Sequence, residues 1–362
     1  MNIKITNKYG ATLKTANKYV EEDISITLDE SFVQPFGTLE VTENGTHDVT
    51  NYESVNVNVA SSGGGSENVL QKQINENTAM GLFSNWAYNI SLDEYINSLD
   101  FSSTHNTSYM FSGCQNLKST PSFNTSNVTN MSNMFSDCSN LTTISQLDTS
   151  KVVYMSKMFY YCSNLTSIPQ LDTSSVINMN NMFYMCTKLT SIPQLNTSNL
   201  TNMSYMFRSC SKLTSVPQLD TSKVTNMSNM FYLCTGLTSI PQLDTSSVTN
   251  MNNTFNGCSA LETIDITYYN ISSTSNVTYF VRDCTALKAL IIRSFGTSYT
   301  LSSNSLQNNG IAKGTGYIYV PRNMVSTLQS ATNWSTYADQ IRALEDYTVD
   351  GTTTGALDET KI

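Results

Sequence analysis

Two histidines are all this sequence contains, it has no C-x-x-C pair, and no run approaches eighteen apolar residues. Each lack excludes something. His47 and His105 have no local partner arrangement for acid/base work and read as exposed or capping polar residues. With no glycine-rich phosphate loop and no paired-carboxylate motif either, no catalytic residue, metal or cofactor is expected, and the chain reads as non-enzymatic. Basic residues are also scarce: 19 Lys and Arg against 28 Asp and Glu give a net charge of −9, and no basic cluster stands ready to meet phosphates. Nucleic acid and anionic membranes are therefore not expected partners. The opening MNIKITNKYG lacks an apolar signal core and the closing TTTGALDETKI carries no anchor, so neither export by an ordinary signal nor membrane attachment is expected.

What the sequence does have is a repeat. All eight cysteines, Cys114, Cys138, Cys162, Cys186, Cys210, Cys234, Cys258 and Cys284, lie at six successive intervals of 24 residues and a last one of 26. The unit reads C-x-x-L-T-S-I-P-Q-L-D-T-S-x-V-T-N-M-x-N-M-F-x-x, and such a period marks a solenoid of stacked coils. One thiol per coil at fixed phase predicts a structural ladder facing the interior rather than a zinc or disulfide framework. Met-x-x-Met-Phe-x-x-Cys has the spacing of a short helix or 3₁₀ turn packed inward, and its methionine stripe reads as adaptable core. Leu and Ile or Val three and six residues after Cys predict a short strand. The fold class expected is thus an α+β repeat solenoid, each 24-residue coil pairing a short strand with a short helix or 3₁₀ turn. Pro169, Pro193, Pro217 and Pro241 share one phase and should end or bulge the strand ladder, since proline donates no hydrogen bond.

Two polar columns accompany the core. Asn130, Asn178, Asn202, Asn226, Asn250 and Asn276, eight residues before Cys, are expected to satisfy backbone groups from inside. Asp148, Asp172, Asp220 and Asp244, with Asn124 and Asn196 in the same phase, are expected to cap the following turn, one carboxylate per coil being too sparse a cage for calcium.

The flanks divide the rest. Residues 1–60 carry alternating runs at Asp23–Leu28, Leu39–Thr42 and Val55–Val59 and read as a small all-β attachment module, with Asn44-Gly45 as a reversal signal. Ser61 to Ser66 is a Gly/Ser linker. Residues 67–104 have helical spacing and read as the N-terminal cap, 105–284 as the solenoid, 285–347 as an α/β C-terminal cap, and 348–362 as a tail. Within the cap, strands are expected at Leu287–Ile292 and Tyr317–Pro321, and helices at 323–330 and 336–344, with Trp334 as an anchor.

Positions just before Cys vary although the coils are otherwise uniform. Tyr160, Tyr161, Tyr184, Tyr205, Arg208 and Tyr232 make a candidate binding strip if they face outward, because Tyr and Arg are common at interface hot spots. The alternative is that these rings only cover the backbone of the adjacent coil or touch a neighbouring subunit.

The unit L-D-T-S-x-V-T-N-M-x-N-M-F-x-x-C-x-x-L-T-S-I, over residues 101–292, resembles the BspA-type leucine-rich repeats of bacterial and mycoplasma surface proteins. The stretches A-x-L-K-T-A-N-K-Y-V-x-x-D-I-S-I-T-L, T-E-N-G-T-H-D-V-T-N-Y-E-S-V-N-V-N-V and G-Y-I-Y-V-P-R-N-M-V-S-T-L-Q-S-A-T-N-W-S-T-Y-A-D-Q-I-R-A-L are similar to modules of tail and fibre proteins of phages infecting Gram-positive bacteria. This resemblance implies a virion tail-fibre or baseplate adhesin. It would be made in the host cytoplasm, joined to other virion proteins through residues 1–60, homo-oligomeric in the particle, extracellular after release, and would present the solenoid to a host-surface glycan or protein. A structural decoration protein of capsid or tail, or a bacterial surface protein of the BspA type, would use the same parts.

Overall fold

The computed structural model describes the backbone of five short strands before residue 60, then Phe83 and Ser84, residues 100–346, and the residue pairs 348–349 and 352–353. Residues 61–66, most of the expected N-terminal cap, His47 and most of the tail lie outside the described residues. The five strands are β1 (Asn2–Thr6), β2 (Thr12–Asn17), β3 (Ser25–Leu28), β4 (Leu39–Thr42) and β5 (Asn56–Val59). β1 lies between β2 and β4, antiparallel to both, and β3 pairs with β5 in parallel. The strand before Asn44-Gly45 pairs with the strand at the chain's start, and the turn itself lies outside the described residues.

From Phe101 onward the chain is a stack of coils, and their construction differs from the strand-plus-helix unit expected. Among the described residues between 100 and 262 there is neither a strand nor a helix. Neighbouring coils touch through isolated parallel bridges such as Asn130 to Tyr154 and Asn202 to Asn226. On the side expected to be a strand, one inter-coil bond recurs, from Thr166 N to Thr142 O and from Thr190 N to Thr166 O, and proline follows three residues later. The strand forms only toward the C-terminal end of the stack. Asp265 and Ile291 stand at the proline phase in the last two Cys-bearing coils, and there β6 (Thr263–Ile266) and β8 (Ala289–Ile292) run in full parallel register. β10 (Tyr317–Val320) and β11 (Ile341–Ala343) extend them into a parallel sheet ordered β11-β10-β8-β6. The proline-bearing coils lack this strand, and so does the coil after Cys138, where Ser145 takes the proline phase, so proline is not the sole reason for its absence.

The Met-x-x-Met-Phe segment is a run of consecutive turns, not a helix. In the coil ending at Cys162, the N–H groups of Met158, Tyr160 and Cys162 donate to carbonyls three residues back. The alternate N–H groups, of Met155, Lys157, Phe159 and Tyr161, donate instead to Asn178, Asn180, Met182 and Tyr184 of the next coil. A helix would spend every N–H internally; this alternation uses half of them to fasten coil to coil. It requires positive φ at two positions per coil, five and one residues before Cys. Asn133, Asn181, Asn229 and Asn253 fill the first, and Gly113 and Gly257 the second, residue types for which left-handed backbone is cheap.

Side chains complete the fastening. Phe83, Phe111, Phe135, Phe159, Phe183, Phe207, Phe231 and Phe255 form a stack with ring centroids 5.4–5.8 Å apart, closed by Phe280 edge-on. The stack begins at Phe83, inside the segment expected to be a separate cap. The twelve methionines of the repeat are buried beside it. Gln146, Gln170, Gln194 and Gln218, each one residue past the proline phase, donate from Nε2 to the backbone carbonyl of the next coil's glutamine. A side-chain ladder thus joins coil to coil just past this phase, whether it holds proline or, as in the coil after Cys138, Ser145.

Beyond Cys284 the core continues without a break into the C-terminal cap. β7 (Tyr269–Ile271) pairs with β9 (Phe295–Tyr299), and α1 (Arg322–Ser330) lies against β11. The helix expected at 336–344 is instead a 3₁₀ segment over Ser335–Gln340 followed by β11. Trp334 is buried and its Nε1 donates to Tyr299 O at 2.6 Å. Gly310 and Gly316 both press on the Leu287 carbonyl, and a Cβ on Gly310 would overlap that oxygen. Gly310→Ala is therefore expected to cost about 1–3 kcal/mol through forced displacement of the cap, read as a lowered unfolding midpoint; an unchanged midpoint would show that the cap closes more loosely.

Candidate functional site

The eight cysteines are free and buried. Each thiol has one partner: Cys186 Sγ donates to Phe159 O and Cys210 Sγ to Phe183 O, at 3.0 and 3.1 Å, and the same bond recurs from Cys114, which reaches Phe83 O, to Cys284, which reaches Phe255 O. That carbonyl already accepts its own coil's Cys N–H, so the thiol uses its second lone pair. Burial pushes the thiols from Cys138 to Cys284 up, Cys234 and Cys284 to about 12. These are structural donors, held away from the thiolate form that reacts.

The polar columns cap turns. Asn130 Oδ1 accepts from Ser132 N, Asn178 from Asn180, Asn202 from Ser204, Asn226 from Ser228 and Asn250 from Asn252. Asn124, Asp148, Asp172, Asn196, Asp220 and Asp244 do the same for the serine two residues on. In Asp148, Asp172 and Asp220 the serine hydroxyl first and its N–H second hold the carboxyl below its usual range. A depressed carboxylate contributes stability that is complete above its unfolded pKa and is lost as pH falls through its folded value. Unfolding midpoints should accordingly be flat through neutrality and fall below about pH 4; a midpoint unchanged down to pH 2 would show these caps to be inert.

The variable positions converge on one edge. Tyr160 and Tyr184 stack with centroids 4.7 Å apart, Tyr161 meets both, and Tyr205 lies 6.3 Å from Tyr184. Arg208 lays its guanidinium over Tyr184, Tyr205 and Tyr232 at 5.3, 5.5 and 4.5 Å, with its Nε buried and making no hydrogen bond among the described residues. Lys157, which the sequence reading did not include, sits over Tyr160 at 5.4 Å. All six expected strip residues therefore form one column. Tyr161 is 38% exposed and the other five are half-buried. Burial first, and the neighbouring phenols next, raise Tyr160; burial raises Tyr184 although Arg208 opposes it, so both hydroxyls stay protonated.

Three members of this column occupy left-handed backbone at a cost, Lys157, Tyr161 and Tyr205 with φ of 56°, 58° and 60°, a cost that Tyr109, Met185, Leu233 and Tyr279 of other coils share. The same coils depart from the repeat once more, with Tyr154 and Ile177 exposed where Asn and Thr usually stand. His105 lies apart, exposed, its Nδ1 2.8 Å from Ser103 O.

The geometry defines a repeat solenoid whose coils are fastened by turns, thiols and stacked phenylalanines. Three overlapping stretches, residues 77–191, 162–238 and 212–310, match the family described as Mycoplasma protein of unknown function, DUF285. The chain belongs to that family, and the BspA-like character of its repeat goes with it. No curated protein matches the chain.

Proposed function

We propose that this chain is a non-enzymatic binding protein, mounted on a phage virion as a tail-fibre or baseplate adhesin through residues 1–60 and offering the edge around Tyr160, Tyr161, Tyr184, Tyr205, Arg208 and Tyr232 to a host surface. One observation carries the binding part of this reading: a continuous tyrosine and arginine column stands at positions where folding asks only for turns. A bulky residue at positive φ costs on the order of 1 kcal/mol relative to glycine, but Tyr109, Met185, Leu233 and Tyr279 bear the same cost, so the support lies in the continuity of the column and not in its backbone. The virion part rests on the resemblance of the flanking stretches. The family match favours a second reading, a bacterial surface protein that uses the same edge.

The test is adsorption of the purified chain to a panel of bacterial cells. Binding to some cells supports an adhesin. Binding to none would leave a decoration protein. Removing residues 1–60 should abolish incorporation into particles and leave adsorption intact if the Gly/Ser linker separates the two tasks; incorporation of the shortened chain would move the docking surface to the solenoid or its cap.

A further inference from the structure

Carboxylates are unevenly spread along this acidic chain. Between residues 138 and 219 its only carboxylates are Asp148 and Asp172, both on the edge that caps the Leu-Asp-Thr-Ser turn and both engaged with their own serines. The opposite segments, 157–164, 181–188 and 205–212, run through the tyrosine column and the tight turn after each Cys. They carry Lys157, Lys188, Arg208 and Lys212 and no acid, although Asp137, one coil earlier at the phase of Tyr161, adjoins the edge with its N–H bonded to Tyr160 O. All three lysines are exposed. Three successive coils thus present a cationic edge within a chain of net charge −9.

The way the rings pack limits what this edge can hold. Tyr160 and Tyr184 spend a face on each other, and Arg208 lies over Tyr184 as well, so a nucleobase or a neutral sugar finds few free ring faces to stack on. Outward go ring edges, which carry the positive end of the quadrupole, and phenol hydroxyls that can both donate and accept. A peptide cannot add as a strand here, because the backbone donors Tyr161 N, Met185 N and Ser209 N already pair with the next coil. Side-chain chemistry alone must recognise the ligand. Repetition at each coil step, about 4.8 Å, suits a linear polymer lying along the stack.

We propose that this edge binds a linear acidic polysaccharide, its carboxylates meeting Lys157, Lys188, Arg208 and Lys212 and its hydroxyls exchanging hydrogen bonds with the tyrosine phenols. This deepens the adhesin reading and rests on it. The test uses the full chain and alginate as probe, with dextran as the neutral polymer and poly-L-glutamate as the acidic peptide, scored by retardation in affinity electrophoresis. Alginate should retard the protein and dextran should not, with affinity falling about tenfold or more as salt rises from roughly 0.05 to 0.5 M. The triple variant Lys157→Glu, Lys188→Glu, Lys212→Glu should lose alginate binding by about tenfold or more with its unfolding midpoint unchanged; circular dichroism guards against a folding defect, and Lys188→Glu with Lys212→Glu, which leaves the backbone at Lys157 alone, should show a smaller loss. No retardation by alginate, equal retardation by poly-L-glutamate, or full binding by a folded triple variant would overturn the proposal. Adsorption to cells that persists while alginate fails would reject the ligand class and leave the adhesin reading standing.

Discussion

Phe183→Ala should cost about 3–5 kcal/mol of stability. Its ring is fully buried in the middle of the stack, 5.7 Å from Phe159 and 5.6 Å from Phe207. The backbone role of the residue survives the change. Its carbonyl still receives Cys186 N and Cys210 Sγ, so the loss isolates the ring. Because each coil touches only its neighbours, a weakened central rung should uncouple the two halves of the stack and broaden the denaturant transition as well as shift it. Equilibrium unfolding by circular dichroism measures both effects. A loss below about 1 kcal/mol would mean that the ring stack is not a principal source of stability.

The thiols should be almost inert in the native protein. A thiol raised to about 12, as Cys234 and Cys284 are, holds roughly a thousandth of the thiolate of one near 9 at neutral pH, and burial adds the need to open the stack first. A thiol reagent should therefore find almost none of the eight reactive in native protein and all eight in denaturant. Reaction should accelerate with pH only as far as the stack itself loosens. Prompt modification of several native thiols would contradict the ladder, and recovery of four disulfides would replace it. The Phe183→Ala protein offers a cross-check, since Cys186 and Cys210 flank the cavity and should become the first to react.

Much of this construction is legible in the sequence. The 24-residue period, the inward Cys, Met and Phe columns, and the capping role of Asp148 and its equivalents follow from phase and residue type alone. Secondary structure does not, for a physical reason. Met-x-x-Met-Phe has helical spacing, yet the alternating turns consume half of its N–H groups between coils, and hydrophobic period does not distinguish the two. The asparagine that precedes Met182, Asn181, was the available sign, since asparagine recurring at one phase marks left-handed backbone. Proline at 169, 193, 217 and 241 marked coils in which no strand forms, but Ser145 at the same phase goes with none either, and Gln146 and Gln170 alike carry the coil-to-coil bond. The strip was legible as variation amid repetition. Lys157 was missed although it shares with Tyr205 the phase five residues before Cys; the turn in which Tyr160 N donates to Lys157 O brings its ammonium over the Tyr160 ring.

The most direct test of the account is whether the tyrosine edge binds rather than holds the coils together. Tyr160, Tyr184 and Tyr232 should be replaced together by Ser, and adsorption to a sensitive bacterial strain and thermal unfolding measured on the same preparation. Lost adsorption with the unfolding midpoint preserved is the result expected; unchanged adsorption, or a midpoint that collapses with it, would contradict the account.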